Sequence, residues 1–283
     1  MLSSWLFIPG SKEKHVQKAK DVDAHVVILD LEDSVTIHEK KQARSIVYRT
    51  LQHLTEKECY VRVNGLHTEE CMEDFYELVG PNLNGIILPK VNSRDDILIA
   101  DFFIQKIESQ KKIKPGTIRL VPLIETAEGV MNALEIARAS SRVKSLAFGA
   151  EDYMLDMNIS TDKEEMELLH ARSMLVTASR AARIDPPIDS VFTDFYDDEG
   201  LLHSTNKGKK LGFGAKLLIH PRQIGAVNRI YSPTEEEIER AKLIVSAYEE
   251  GSLKGDGAIQ LEGEMIDKPV VERAKKLLLY EKK

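Results

Sequence analysis

The sequence predicts a (β/α)8 TIM barrel with a C-terminal helical extension, and three observations carry that prediction. Eight short runs rich in aliphatic and β-branched residues recur along the chain, at 5–8, 25–29, 60–63, 85–88, 118–123, 145–148, 190–193 and 216–219. Between them lie segments in which apolar residues return every three or four positions, the mark of helices with one buried face. The runs are nearly continuous in apolar character, as strands of a parallel sheet covered on both sides are. Eight strand–helix units over about 230 residues suit a closed barrel better than an open doubly wound sheet. A dinucleotide-binding sheet would want a glycine-rich phosphate turn after its first strand, and Pro9-Gly10-Ser11 is not one.

The first run, 5-WLFI-8, ends at Pro9-Gly10 and is followed by a lysine-rich helical segment. The second leads into Asp30-Leu31-Glu32-Asp33, and 38-HEKKQARSIVYRTLQHL-54 then reads as a helix. The third closes on Arg62-Val63-Asn64-Gly65 and the fourth on Pro89-Lys90. The fifth ends at Glu125, where 126-TAEGVMNALEIARA-139 begins a helix, and the sixth leads to Glu151-Asp152. After 164-EEMELLHARSMLVTASRAAR-183, another helix, come the seventh and eighth strands. Residues 1–232 form the predicted barrel domain and 233–283 the extension. In that extension, 234-TEEEIERAKLIVSAYEEG-251 has a Thr cap, early acids and a closing Gly. The glycine-rich stretch 255–263 reads as a turn, and 264–283 as a short final helix with Pro269 near its start.

A formal net charge of -7 over 283 residues argues against a general nucleic-acid binder, which needs clustered cations to displace phosphate counterions. No apolar run approaches the roughly 20 residues that span a bilayer, and the first residues do not read as a signal peptide. The two cysteines, Cys59 and Cys71, lack metal-ligand spacing and read as reduced thiols. The expected location is the cytoplasm.

In a barrel of this kind the chemistry sits at the C-terminal ends of the strands. The acids gather there. A single carboxylate in a strand-to-helix loop is usually a helix cap or a first-turn acid, and Glu39 and Glu128 fit that reading. Glu125 directly follows a buried strand and does not. Several carboxylates meeting at one rim repel one another unless a cation joins them. With only oxygen donors on offer the ion should be hard, and Mg²⁺ usually takes one or two carboxylates together with waters and substrate oxygens. Glu125 and Asp152, on neighbouring strand ends, make the natural pair, with Arg62 as a fixed cation beside them.

The motifs 5-WLFIPG-10, 27-VILDLEDSV-35, 61-VRVNG-65, 87-ILPKV-91, 123-LIETAEG-129, 148-FGAEDY-153, 217-LLIHPRQI-224 and 265-MIDKPVV-271 cover essentially the whole chain. Together they resemble the citrate lyase β-subunit-like branch of the HpcH/HpaI aldolase superfamily, in that family's order and spacing. The resemblance implies a barrel that assembles as a homotrimer or larger oligomer and makes or breaks a carbon–carbon bond beside a thioester carbonyl. Glu125 and Asp152 would be the Mg²⁺ ligands, with Mn²⁺ as an alternative ion, and Arg62 would contact the thioester or enolate oxygen. Glu32 and Asp33 would bind metal-coordinated water and orient Arg or Lys. Asp267 would be the acid–base group, carried on a C-terminal segment that reaches a neighbouring subunit's site. Backbone N–H groups at Gly149, Ala150 and Glu151 would hold the oxo-acid carboxylate. Lys18 falls near a family lysine that reaches the coenzyme A phosphates, although a solvated helix face with Lys12, Lys14 and Lys20 is the plainer reading. Where many members carry Arg before the first strand, this chain has Ser3-Ser4. His220 reads as packing after the eighth strand.

The implied reaction is Mg²⁺-dependent cleavage of a 3-hydroxyacyl-CoA, such as malyl-, citramalyl- or citryl-CoA, into acetyl-CoA and a 2-oxo acid, with thioester hydrolysis as an added outcome. A citrate lyase β subunit working on an acyl-carrier-protein thioester would use the same residues. A metal-dependent aldolase acting on free 2-oxo acids is disfavoured by the Asp267-bearing tail. A non-catalytic oligomeric barrel should have lost at least one of Glu125, Asp152, Arg62 or Asp267, and all four are present.

Overall fold

The computed structural model describes residues 2–253, 255 and 257–279. The chain divides after Asn228 into two compact units. In the first, eight strands pair in sequence order into a closed barrel: β1 (Ser4–Pro9), β2 (Val26–Asp30), β3 (Glu58–Arg62), β4 (Gly85–Leu88), β5 (Arg119–Ile124), β6 (Ala147–Phe148), β7 (Ile188–Asp189) and β8 (Ala215–Leu218). Every neighbouring pair is parallel, and β8 closes onto β1 through Ser4–Lys216, Trp5–Leu217 and Leu6–Leu218. The expected barrel is therefore the observed one.

Strand side chains alternate between faces, so parity fixes which residues fill the barrel. Trp5, Val26, Ile28, Tyr60, Ile87, Val121, Leu123, Ala147, Ile188, Ala215 and Leu217 pack together as its interior. Residues of opposite parity, such as Val27, Leu29 and Ile86, are also buried, under the helical layer. That layer contains α1 (Glu13–Gln17), α2 (Lys40–Leu51), α3 (Glu70–Leu78), α4 (Arg94–Gln110), α5 (Ala127–Met131), α6 (Ala133–Arg138), α7 (Ala150–Met157), α8 (Leu169–Ala182) and α9 (Asp198–Leu211). The unit boundary falls within α10 (Ile224–Tyr231). Asp189 and Lys216 follow the outward parity and are fully buried, where Asp189 pairs with Arg172 of α8 at 2.9 Å and with Lys216 at 3.4 Å. At the opposite end of the strands from the acids, Ser3 and Ser4 are buried with their hydroxyls 3.2 and 3.1 Å from His25 Nδ1. Both cysteines are free and buried.

Three local expectations are corrected. The seventh strand lies at Ile188–Asp189, ahead of the apolar run 190–193. Ile188 enters the ladder by donating to Leu146 O, and the residues after Asp189 leave it for the rim. β-propensity reports fit to a half-buried surface and cannot say which part of an apolar run is hydrogen-bonded. The helix expected over 126–139 breaks at Asn132, whose side-chain amide donates to Asn92 O at 2.8 Å.

The second unit contains α11 (Glu235–Leu253), β9 (Ile259–Leu261), β10 (Glu264–Ile266) and α12 (Lys268–Leu278). The third correction lies here, because the stretch expected as turn and helix contains an antiparallel hairpin. Glu262 and Gly263, both at positive φ, form a two-residue loop of the kind that matches strand twist. Asp267 caps α12 by accepting from the Val270 N–H at 3.3 Å, and Pro269 sits in the first turn. Ala241, Ile244, Ile266, Val271 and Ala274 form the unit's own core.

Candidate active site

Parity that fills the barrel also assembles its mouth. With Ile28, Tyr60, Leu123 and Ala147 pointing inward, two residues further on Asp30, Arg62, Glu125 and Gly149 point inward too, at the C-terminal end. They line a cavity of about 450 Å³ whose floor is apolar, formed by Phe7, Leu123 and Leu217. Asp33, Glu151, Asp152 and Ser190 complete much of the wall.

Arg62 is fixed from several sides. Its Nε and Nη2 donate to the two oxygens of Asp30 at 2.6 and 2.8 Å, a bidentate pair. Its Nη1 lies 3.0 Å from Glu32 Oε2 and 3.3 Å from Asp33 Oδ2, and the guanidinium sits over the Phe7 ring at 4.8 Å. Asp30 also accepts from the Glu32 and Ser34 N–H groups. Burial pushes its carboxyl up, but the Arg62 charge and hydrogen bonds outweigh that and hold it below the usual carboxylate range. Asp30 had no role assigned from the sequence, where Glu32 and Asp33 drew attention as the loop acids. The signal was available in the alternation of β2, which directs Asp30 inward.

Glu125 is buried, and its Oε1 accepts from the Lys90 N–H at 2.7 Å. Burial, together with the charges of Asp152 and Glu32, pushes its carboxyl up to about 8. Gly149 is required beside it, since a Cβ there would lie 2.6 Å from Glu125 Oε2. Glu32 is also raised by burial, and its Oε2, despite the ion-pair distance to Arg62, makes no aligned hydrogen bond. The Lys90 ammonium pairs with its other oxygen at 3.1 Å. Six carboxylates (Asp30, Glu32, Asp33, Glu125, Glu151, Asp152) thus stand at the mouth with two cations, Arg62 and Lys90. The surplus of negative charge, the raised Glu125 and the unaligned Glu32 oxygen are what a cation-binding mouth requires. Among the described residues no group of three or more His, Cys, Asp or Glu is set to hold a metal ion; Glu125 and Asp152 offer two carboxylates, the number that Mg²⁺ commonly takes beside water and ligand oxygens.

Two backbone donors are less available than the sequence suggested. The Gly149 N–H donates to Ile124 O at 2.9 Å and the Ala150 N–H to Ser190 Oγ at 3.0 Å. Glu151, next in the first turn of α7, remains as the backbone donor on the cavity wall. Lys18 is exposed on a 3₁₀ turn, Lys18–Asp21, and does not line the cavity. Asp267 lies in the second unit as a helix cap. Ring stacking of His220 on Phe195, at 5.1 Å between centroids, accounts for that histidine as packing.

A closed parallel barrel with carboxylates and an arginine gathered at its C-terminal mouth has the architecture of a barrel enzyme. The chain belongs to the HpcH/HpaI aldolase/citrate lyase family, whose model matches residues 3–221. It is 40% identical over 275 residues to the citrate lyase subunit beta of Leuconostoc mesenteroides subsp. cremoris, covering 96% of this chain and 91% of that protein. It is 32% identical to the mitochondrial citramalyl-CoA lyase of Homo sapiens, over 95% of this chain and 82% of that one. Among solved structures, the CitE protein of Mycobacterium tuberculosis in complex with magnesium, acetoacetate and coenzyme A superposes with a TM-score of 0.81. That match has 29% identity and covers 99% of this chain and 98% of that one.

Proposed function

We propose that this protein is a Mg²⁺-dependent carbon–carbon lyase that cleaves a 3-hydroxyacyl-CoA into acetyl-CoA and a 2-oxo acid. The observation that carries the reading is Glu125, a buried carboxylate at the barrel mouth whose charge is opposed by its surroundings. The lyase names of its relatives and the magnesium and coenzyme A in the M. tuberculosis complex support it.

Glu125 and Asp152 would hold the ion. Bound there, Mg²⁺ would lower the cost of negative charge on the substrate hydroxyl. In the cleavage direction the hydroxyl loses its proton and becomes a carbonyl as the adjacent carbon–carbon bond breaks. The electron pair of that bond passes to the thioester as an enolate, which takes up a proton at carbon to give the acetyl thioester. Arg62, held rigid by Asp30, would stabilise the enolate oxygen; one such preorganised donor contributes about 3–4 kcal/mol. Glu32 and Asp33 flank Arg62 and keep it aimed. The Glu151 N–H, with the positive end of α7, would meet the oxo-acid carboxylate. Asp267, from the C-terminal extension of a neighbouring subunit, would exchange the proton, which requires that subunits assemble; a homotrimer or larger oligomer is the assembly we propose. No helix among the described residues is long and apolar enough to cross a membrane; the location we propose is the cytoplasm.

Purified protein with Mg²⁺ is incubated with malyl-, citramalyl- and citryl-CoA, and products are identified by mass. Acetyl-CoA and the matching 2-oxo acid are expected from at least one. Cleavage of a citryl thioester only on acyl-carrier protein would contradict the free-standing reading and favour a citrate lyase complex subunit, the role named for the 40% identical relative.

A further inference from the structure

Lys90 stands at φ +54°, in the left-handed region that a side chain with a Cβ disfavours. Ile87 points into the barrel, so the alternation of β4 would turn position 90 toward the helices. The left-handed turn ends that alternation, and both polar ends of Lys90 reach the site: its N–H donates to Glu125 Oε1 and its ammonium pairs with Glu32.

The surrounding loop enforces the turn. The Val91 N–H donates to Leu123 O, and Val91 O packs so closely on Gly129 that a Cβ there would lie 2.6 Å away. Asn92 is tied on both sides, its backbone oxygen accepting from the Asn132 amide and its side-chain oxygen from the Thr126 hydroxyl. Ser93 and Asp96 then form a capping box that starts α4. Residues held in unfavourable backbone regions persist where the structure over-determines them, and they concentrate at functional sites.

We infer that Lys90 is a positioning residue whose left-handed backbone, rather than its ammonium, sets the Mg²⁺ ligand. By holding Glu125 Oε1 from the backbone, its N–H fixes the orientation in which the Glu125 carboxylate would be offered to the ion. The inference rests on Glu125 being a Mg²⁺ ligand.

Mg²⁺ affinity, measured calorimetrically in the presence of pyruvate, tests it without recourse to turnover. Lys90→Gly and Lys90→Asn tolerate positive φ and keep the N–H; both should bind Mg²⁺ within about threefold of the wild type. Lys90→Val and Lys90→Thr are β-branched and drive the backbone out of that region; they should bind about tenfold or more weakly. Should the valine variant not fold, the threonine and asparagine variants carry the comparison, their side chains being close in size. Equal affinities across the four, or equal losses that Lys90→Arg restores, would overturn the backbone role. Glu125→Ala is titrated alongside. If it binds Mg²⁺ like the wild type, the ligand assignment itself fails and the Lys90 role with it. If only Glu125→Ala loses affinity, the ligand assignment stands and the Lys90 role alone is wrong.

Discussion

At the scale of single residues the site depends on carboxylates with opposite fates. Asp30 stays charged because a bidentate arginine compensates its burial, whereas Glu125, similarly buried, is raised to about 8. Asp30→Asn should therefore leave the fold intact but loosen Arg62. A fall in kcat of about tenfold or more is expected, as when a group that orients a ligand-contacting side chain is lost, with Mg²⁺ affinity little changed. An unchanged kcat in steady-state assays would show that Glu32 and Asp33 suffice to hold Arg62. Glu125 was legible in the sequence because an acid directly after an apolar strand has no structural reason to be there. Asp30 was less so, because an acid inside the run DLED looks like any of its neighbours until strand parity separates them. Lys90 could not be read at all, since a positive φ at a lysine leaves no mark in the sequence.

At the scale of elements, charged pairs outside the barrel tie helices and loops together. Glu108 of α4 accepts from both terminal nitrogens of Arg142 at 2.9 and 2.6 Å, and from the N–H groups of Gly116 and Ile118. Burial pushes its carboxyl up, but these hydrogen bonds, Arg142 first, pull it below its ordinary 4.5. A depressed carboxylate contributes stability that is fully present above the unfolded-state value and is lost as pH falls through the folded-state value. Glu108→Gln should accordingly cost about 2 kcal/mol at neutral pH, the scale of a charged hydrogen bond. The difference from wild type should shrink progressively below about pH 4.5 in urea-unfolding series. A difference independent of pH would show that shape rather than charge matters at this joint. Elements with strong periodicity or several start and stop signals, such as 38–54 and 234–251, were legible. The hairpin in the C-terminal unit was not, because its strands are three residues each and its turn depends on Glu262 accepting φ +50°. The break at Asn132 is likewise set by a contact with Asn92, far away in sequence.

At the scale of the whole molecule, the barrel supplies every proposed site residue except Asp267, and the C-terminal unit has its own core. The proposal that Asp267 serves a neighbouring subunit has a direct consequence. Asp267→Asn should keep Mg²⁺ binding and lose most turnover. Mixed oligomers of Glu125→Ala and Asp267→Asn subunits should regain activity, because some sites then combine an intact barrel with an intact tail. Mixed oligomers that stay inactive would place the proton-exchanging group elsewhere. Closed eight-strand topology was legible from the spacing of apolar runs, whereas pocket volume and subunit arrangement depend on side-chain packing and contacts that a linear pattern does not encode. The central claim, that Glu125 anchors a Mg²⁺-dependent bond cleavage, meets its most direct test in product stoichiometry. Wild-type protein with the thioester it accepts should release acetyl thioester and 2-oxo acid in equal amounts. That release should stop on chelation, resume with added Mg²⁺, and be absent from Glu125→Ala under every condition. Equal product release by Glu125→Ala, or cleavage that persists in chelator, would contradict it.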